Sequence, residues 1–166
     1  MGDIIMDDIT IRHAEPSDYL PIISVLNDWW GGRNMTDQLP KLFFVHFRET
    51  SFVAEIEGKI VGFIVGFSSR TFPDQAYIHF VGVHPDYKRR GIGRSLYRHF
   101  FKVVKEHGCR VVRSVTAPVN KLSIAFHLRM GFTIEPGDKV IEGISVFENY
   151  DGYGGDRVLF VKSLSG

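Results

Sequence analysis

The segment that says most about the architecture is Val81-Gly82-Val83-His84-Pro85-Asp86-Tyr87-Lys88-Arg89-Arg90-Gly91-Ile92-Gly93-Arg94. It continues an apolar, partly β-branched segment that begins at Ile78, and this segment predicts a buried strand that stops before Pro85. From Ser95 onward, apolar residues recur at the spacing of one helix face. The pattern therefore predicts a strand that passes into a helix through a basic turn with two glycines.

The basic turn has the features of a pyrophosphate site. At the start of a helix the backbone N–H groups of the first turn lack partners, and the helix dipole is positive there. Gly91 and Gly93 would let a phosphate approach those N–H groups closely. Countercharge is available from Lys88, Arg89, Arg90 and Arg94. We therefore predict a phosphate-binding turn, with an ordinary solvated basic turn as the alternative.

The spacing of the glycines excludes two common types of phosphate-binding loop. A Walker loop requires Lys followed by Ser or Thr after its second glycine, and Arg94-Ser95 stands there instead. A dinucleotide fingerprint requires a third glycine where this chain has Leu96. The turn Lys88-Arg89-Arg90-Gly91-Ile92-Gly93 resembles motif A of the GNAT N-acetyltransferase superfamily, Gln/Arg-x-x-Gly-x-Gly/Ala. Its departure from the motif is Lys at the first position.

A second segment, from Asn120 to Phe132, resembles motif B of the same superfamily. Asn120 or Ser123 is expected to cap a short helix that Gly131 ends in a left-handed turn. The resemblance implies that Asn120 offers its amide to the pantetheine chain of acetyl-CoA, or to water beside it. Many relatives carry Tyr at the position of His127, where the phenol can protonate the leaving CoA thiolate. His127 is a candidate for that role, or a residue that only packs near the thiol.

The predicted elements follow the order β-α-α-β-β-β-α-β-α-β-β, and no linker or repeat divides the chain. They include a helix from about Asp37 to Phe47 and a long hairpin loop within Gly137 to Gly155. This order resembles the GNAT fold, which implies an α/β (α+β) protein. We expect a mixed, twisted sheet of about seven strands, flanked by about four helices and splayed between its two central strands. One domain is expected over residues 1–166.

Composition limits the partners and the compartment. The 166 residues include 20 basic and 19 acidic side chains, so nucleic acid is not an expected partner. The single cysteine, Cys109, excludes an internal disulfide and indicates a reducing cytoplasm. No apolar run approaches the length that spans a membrane, and no spacing of His or Cys suggests a metal site. A homodimer is suggested only by analogy with relatives.

The resemblance implies direct transfer of an acetyl group from acetyl-CoA to an amine. Backbone N–H groups of Val81, Gly82 and Val83, where relatives bulge this strand, would hold the pantetheine and polarise the thioester carbonyl. Some relatives place a catalytic Glu at the position of Tyr77, and others at that of Val115. His79, two residues beyond Tyr77, is a candidate proton relay, with a hydrogen-bonded core histidine as the alternative. The proton acceptor is therefore left open.

Two segments are candidates for contact with the amine acceptor. Trp29 and Trp30 would form an aromatic wall, and Arg33 after the flexible Gly31-Gly32 would be a carboxylate-binding arm. The alternative is that both Trp residues cover the sheet and Arg33 is solvated. Asp151 and Asp156 would attract a cationic amine, and Tyr150 or Tyr153 would contact its carbon chain. The alternative is a tight acidic turn with no ligand.

Two function classes remain open at the level of the sequence. The first is an N-acetyltransferase that acts on a primary amine of a small molecule or a protein. The second is an acyl-CoA-binding sensor without turnover, which is supported by the lack of a familiar base and by His at position 127. Release of free CoA thiol on addition of amines separates the two.

Overall fold

The computed structural model describes residues 8–164, which form two compact units. The first unit contains residues 8–68 and 78–107, and the second contains residues 69–77 and 108–164. The strands are β1 (Ile9–His13), β2 (Phe52–Ile56), β3 (Lys59–Ser68), β4 (Gln75–Val83), β5 (Val111–Thr116), β6 (Thr133–Ile134), β7 (Lys139–Ile141), β8 (Ile144–Val146) and β9 (Val158–Ser163). The α-helices are α1 (Tyr19–Ile23), α2 (Leu26–Trp29), α3 (Leu42–His46), α4 (Ile92–Glu106) and α5 (Lys121–Arg129).

Seven of the strands are hydrogen-bonded in the order β1-β2-β3-β4-β5-β9-β6, and β7 and β8 form a separate hairpin. Strand β4 contributes residues to both units. The sheet is mixed, since β4 and β5 are parallel whereas β2 is antiparallel to β1 and β3, and β9 to β5 and β6. The predicted α/β class with a mixed sheet of about seven strands is confirmed. Residues 8–164 contain five α-helices where about four were expected.

The first unit has apolar side chains on both faces of its strands. Helix α4 packs against β2 and β3 through one face, which carries the buried residues Ile92, Leu96, Phe100 and Val104. A second buried cluster combines side chains of α1, α2 and α3 with side chains of β2 and β3. Its largest members are Trp29, Phe43, Phe44 and Phe63. Burial on both faces explains why β3 reads as an almost continuous apolar run.

The helix predicted from about Asp37 to Phe47 is interrupted in the structure. Thr36–Gln38 forms a short 3-10 turn, and α3 begins only at Leu42. Pro40 is the physical reason, because the residue before a proline is disfavoured in the helical region. Leu39 accordingly has φ of −127° and ψ of 80°.

The second unit is built around β5 and β9. Gln75–Tyr77 of β4 pairs in parallel with Val111–Arg113 of β5. Strand β9 lies antiparallel to β5 along the whole of both strands, and its Phe160 is fully buried. The long loop predicted within Gly137 to Gly155 contains the β7–β8 hairpin. Beyond it, a turn is closed by the backbone bridge between Phe147 and Arg157.

The sequence also raised the questions of a disulfide, a membrane span and a metal site. Cys109 is buried. Among residues 8–164, no helix combines the length and the apolar character needed to cross a bilayer. The same part of the chain holds no group of three or more His, Cys, Asp or Glu side chains arranged for a metal ion.

Candidate active site

The turn between β4 and α4 leaves an open, electropositive helix start. Gly91 is the N-cap of α4, with φ of 79° and ψ of 12°. A Cβ built on Gly91 would meet no atom within 4 Å. The first bond of the helical ladder runs from the Ser95 N–H to the Gly91 carbonyl at 2.9 Å, so the N–H groups before Ser95 lie outside the ladder. The backbone N–H donors, the positive end of the helix dipole and the open space at Gly91 thus lie together. Binding of an anionic group requires this combination.

The turn and the start of α4 carry four exposed cations against one carboxylate, Asp86. Arg89 has φ of 67°, a conformation that is uncommon for a residue with a Cβ. Arg90 lies over the Tyr87 ring at 5.1 Å from its centroid. Within residues 8–164, no carboxylate is in ion-pair distance of the four exposed cations Lys88, Arg89, Arg90 and Arg94. The turn therefore fits a pyrophosphate in both geometry and charge.

Gly82 of β4 is held between aromatic rings. A Cβ built there would lie 2.5 Å from Cε2 of Phe63 and 2.9 Å from the Trp30 ring. Val81 and Val83, on either side of Gly82, are half-buried. The absence of a side chain at Gly82 is therefore required by packing within the first unit, which the sequence alone did not indicate.

The segment around Trp30 forms an aromatic surface in the first unit. The Trp30 ring stacks on Phe80 with centroids 5.1 Å apart, and Phe63 meets Phe80 edge-on at 5.6 Å. Trp30 is half-buried, whereas its neighbour Trp29 is buried. Gly31 and Gly32 follow with φ of 66° and 90°, and Arg33 is exposed. Trp29 is thus a core residue, and Trp30 is half-exposed on the surface beside an exposed cation.

His79 is exposed, and two contacts fix its ring. Its Nε2 lies 2.8 Å from the main-chain carbonyl oxygen of Gln38. The ring also stacks on Phe43, with centroids 4.8 Å apart and planes 21° apart. His79 and the next residue, Phe80, both contact rings of the cluster that contains Phe43 and Phe63. Consecutive residues of a regular strand point to opposite faces, so this arrangement indicates an irregularity in β4.

His127 of α5 is buried in the second unit. Its Nδ1 lies 2.8 Å from the Ser123 carbonyl oxygen, and its ring stacks in parallel on Phe160 with centroids 4.3 Å apart. A carbonyl only accepts hydrogen bonds, so Nδ1 carries the proton of the neutral ring. Burial lowers the pKa of His127, and the hydrogen bond to Ser123 opposes that effect in part. The neutral form is therefore favoured.

The buried His127 predicts a pH dependence of stability. An unfolded histidine takes up a proton near its ordinary pKa, whereas folded His127 resists protonation. Above the ordinary histidine pKa, the neutral ring makes its full contribution to the free energy of unfolding. This contribution is lost as the pH falls toward the lower pKa of folded His127, by up to about 1.4 kcal/mol per pH unit. We expect His127→Phe to lose less stability than the wild type between about pH 7.5 and 5.5. Urea unfolding at both pH values measures this, and equal losses in the two proteins would contradict it.

Tyr77 lies with Tyr150 and Asp151 in the second unit. Burial, together with the nearby Tyr150 and Asp151 and opposed by Arg157, raises the pKa of Tyr77 to about 12. Asp151 is itself paired with Arg157 at 2.9 Å, and Asp156 with Lys139 at 3.2 Å. The carboxylate predicted to attract a cationic amine thus already has a cationic partner.

Asn120 has the capping role that the sequence predicted. Its side-chain oxygen accepts a hydrogen bond from the Ser123 N–H at 3.2 Å and so begins α5. Gly131 follows the helix with φ of 96°, as expected for a left-handed end. The Asn120 amide group is not needed for this cap, so the proposed contact with a ligand is compatible with it.

The site contains residues that sequence reasoning did not single out. Gln38 acts on His79 through its backbone carbonyl, which no side-chain pattern could reveal. Phe43, Phe63 and Phe80 were recognisable as apolar residues, but their stacking on His79 and Trp30 depends on tertiary structure. Within the first unit the structure brings Trp30 to Gly82, and within the second it brings Tyr77 to Tyr150 and Asp151.

Comparison with known proteins gives a family match and several relatives. Residues 15–132, well over half of the chain, match the model of the acetyltransferase (GNAT) family. An L-2,4-diaminobutyric acid acetyltransferase of Nocardia farcinica is 34% identical over 79 residues, which cover 48% of this chain and 41% of that protein. The match thus spans less than half the length of that relative. An N-alpha-acetyltransferase of Sulfurisphaera tokodaii is 27% identical, over 93% of this chain and 92% of its own.

Solved structures share the fold along nearly the whole chain. Ard1 from Thermoplasma volcanium superposes with a TM-score of 0.76 at 21% identity, covering 96% of this chain and 99% of its own. Diaminobutyrate acetyltransferase EctA from Paenibacillus lautus, solved with L-2,4-diaminobutyric acid and coenzyme A, gives a TM-score of 0.69 at 20% identity. That alignment covers 95% of this chain and 96% of the other.

Proposed function

The chain belongs to the GNAT acetyltransferase family, and from this membership we propose that it transfers an acetyl group from acetyl-CoA to a primary amine. The observation that carries the proposal is the β4–α4 turn. Its left-handed N-cap at Gly91 is open, and its cations have no carboxylate partner within residues 8–164. The open space, the N–H donors and the cations of this turn support binding of the pyrophosphate of CoA there.

The residues proposed to hold acetyl-CoA lie in consecutive segments of the chain. The pyrophosphate would contact the turn formed by Arg89, Arg90, Gly91, Ile92, Gly93 and Arg94. Backbone groups of Val81, Gly82 and Val83 would bind the pantetheine, because they end the strand that leads to this turn. Asn120, with its amide not committed to the helix cap, would add a further hydrogen bond.

The transfer needs two protons removed from the acceptor nitrogen and one supplied to sulfur. The acceptor ammonium loses a proton, the neutral amine attacks the thioester carbon, its nitrogen loses a second proton as the C–S bond breaks, and the thiolate takes up a proton. Tyr77 keeps its proton at neutral pH, so it would act as a hydrogen-bond donor rather than as the base. For His127, the protonated form that would donate to the thiolate is scarce at neutral pH, which favours a packing role.

The acceptor is proposed as a small amine or the α-amino group of a protein. The relatives support both classes, since one is named for L-2,4-diaminobutyric acid and another as an N-alpha-acetyltransferase. Trp30 and Arg33 are the candidate acceptor contacts of the first unit. Tyr150 is the candidate of the second unit, where Asp151 would be available to a cationic amine only if it leaves Arg157. We also propose a single cytoplasmic domain that acts without nucleic acid or membrane, and a homodimer by analogy.

Release of free CoA thiol tests the proposed activity. The purified chain is mixed with acetyl-CoA and either L-2,4-diaminobutyric acid or a peptide with a free α-amino group, and the thiol and the acetylated product are measured. We expect amine-dependent thiol release matched by an equal amount of product. Saturable acetyl-CoA binding without thiol release for any amine would instead favour the acyl-CoA-binding sensor.

A further inference from the structure

The turn from Asn149 to Asp156, in the segment that joins β8 to β9, is closed without its ion pair. The Asn149 N–H donates a hydrogen bond to the Asp156 carboxylate at 2.8 Å. A backbone hydrogen bond of 3.0 Å runs from the Asp151 N–H to the Gly155 carbonyl. The ion pair between the side chains of Asp151 and Arg157 is partly exposed, and such pairs contribute little to stability. The turn therefore keeps its shape without this pair.

The Arg157 guanidinium has hydrogen-bonding capacity that the chain does not use. Its Nε lies 2.9 Å from Oδ2 of Asp151, and its Nη1 donates to the main-chain carbonyl oxygen of Asp156 at 2.8 Å. These two contacts hold the plane of the guanidinium. Its Nη2 donates no hydrogen bond to any residue of the range 8–164. Because a guanidinium can present parallel N–H groups to a carboxylate, Arg157 suits a ligand that carries one.

Aromatic side chains lie beside this ion pair. Tyr150, Asp151 and Arg157 are all close enough to Tyr77 to affect its pKa. Tyr150 is 48% exposed, and its ring meets Phe147 edge-on with centroids 6.3 Å apart. The surface thus combines one charge of each sign with an accessible aromatic ring. A ligand that carries an ammonium group, a carboxylate and a short carbon chain matches it.

Resting on the proposed acetyl transfer, we infer that an amino-acid acceptor exchanges partners with the Asp151–Arg157 pair. The carboxylate of the acceptor binds Arg157, and its α-ammonium binds the Asp151 carboxylate that Arg157 releases. The ammonium held by Asp151 keeps its proton and cannot attack a thioester. The nitrogen that receives the acetyl group is therefore a second amine of the same molecule, which makes the acceptor a free diamino acid.

Arg157 would determine specificity by what it rejects. A simple diamine has no carboxylate to take the place of Asp151, so the carboxylate of Asp151 stays occupied and the positive charge of Arg157 repels the amine. The terminal α-amino group of a peptide likewise has no carboxylate on the same carbon. Asp156 does not substitute for Asp151, because it pairs with Lys139 at 3.2 Å.

Kinetics with two matched amines test the inference. The probes are L-2,4-diaminobutyric acid and 1,3-diaminopropane, which is the same molecule without its carboxylate. We expect the wild type to favour the amino acid in kcat/KM. Arg157→Gln should lower the ratio of the two kcat/KM values about tenfold or more, because it removes the carboxylate contact and frees Asp151 for the diamine. The KM for acetyl-CoA should stay unchanged.

Two further variants separate the fork of Arg157 from its charge. Arg157→Lys keeps the charge without the planar fork, and we expect a ratio between those of the wild type and Arg157→Gln. Arg129→Gln removes an exposed cation at the end of α5 in the same unit, and it should keep the wild-type ratio. An Arg157→Gln ratio within about twofold of wild type, or a wild type that prefers the diamine, would overturn the inference.

Nitrogen NMR tests binding without turnover. The wild-type chain is labelled with ¹⁵N-arginine, its Arg157 Nε–H signal is assigned from its loss in Arg157→Lys, and each probe is titrated with coenzyme A present and absent. We expect a saturable shift of this signal with L-2,4-diaminobutyric acid and none with 1,3-diaminopropane. No shift with the amino acid, or equal shifts with both probes, would overturn the inference. Absence of wild-type turnover would count against the proposed function, and the titration would then decide the inference by itself.

Discussion

Gly91→Glu is expected to abolish measurable acetyl-CoA binding while the chain stays folded. The new side chain has room, since nothing lies within 4 Å of a Cβ at this position. The left-handed φ of 79° costs about 1–2 kcal/mol for a residue with a Cβ, which a domain can withstand. A carboxylate facing the pyrophosphate costs several kcal/mol, and each 1.4 kcal/mol is tenfold in affinity, so a loss of about 100-fold or more follows.

The glycine at the other end of α4 provides the matched control. Gly108 also has a left-handed φ, of 95°, and open space around its Cβ position. Gly108→Glu therefore carries similar strain and the same charge, about 22 Å away along a helix of 15 residues. Calorimetric titration should show near wild-type affinity for Gly108→Glu. Equal affinities for Gly91→Glu and wild type would reject the turn as the cofactor site.

Gly82→Ala is expected to destabilise the fold by about 3 kcal/mol, at the upper end of what overpacking costs. Its methyl group would lie 2.5 Å from the Phe63 ring and 2.9 Å from Trp30. Phe63 is fully buried, so its ring has no free space into which to move. Urea unfolding of the variant and the wild type measures the difference.

A double-mutant cycle with Phe63→Leu identifies the cause of that destabilisation. Replacing the ring by a shorter side chain makes room for the methyl group, so the double variant should be more stable than the sum of the single effects by about 1–2 kcal/mol. Strictly additive effects would show that Gly82 is required for a reason other than its contact with Phe63.

Much of the fold could be predicted because local signals agree with tertiary structure. The strand before Pro85 and the helix after Gly91 lie where the apolar pattern placed them. The helix predicted over about Asp37 to Phe47 was wrong in its first part, although Pro40 carried the signal. There, apolar periodicity was given more weight than the backbone restriction that a proline imposes.

The candidate site was less predictable, because its geometry depends on contacts between distant residues. The cap at Asn120 is local and was predicted, but the partner of His79 is a backbone carbonyl 41 residues away. Likewise, the pairing of Asp151 with Arg157 reverses the expectation of a free carboxylate. The catalytic and acceptor-binding assignments therefore stay predictions.

The most direct test of the account is a calorimetric titration of the wild-type chain with acetyl-CoA, followed by desulfo-CoA and ATP in separate runs. We expect saturable binding of acetyl-CoA at one site per chain, binding of desulfo-CoA, and no saturable binding of ATP. This result would link the β4–α4 turn to the whole CoA molecule rather than to any polyphosphate. No saturable binding of acetyl-CoA, or equal binding of ATP, would contradict the central claim.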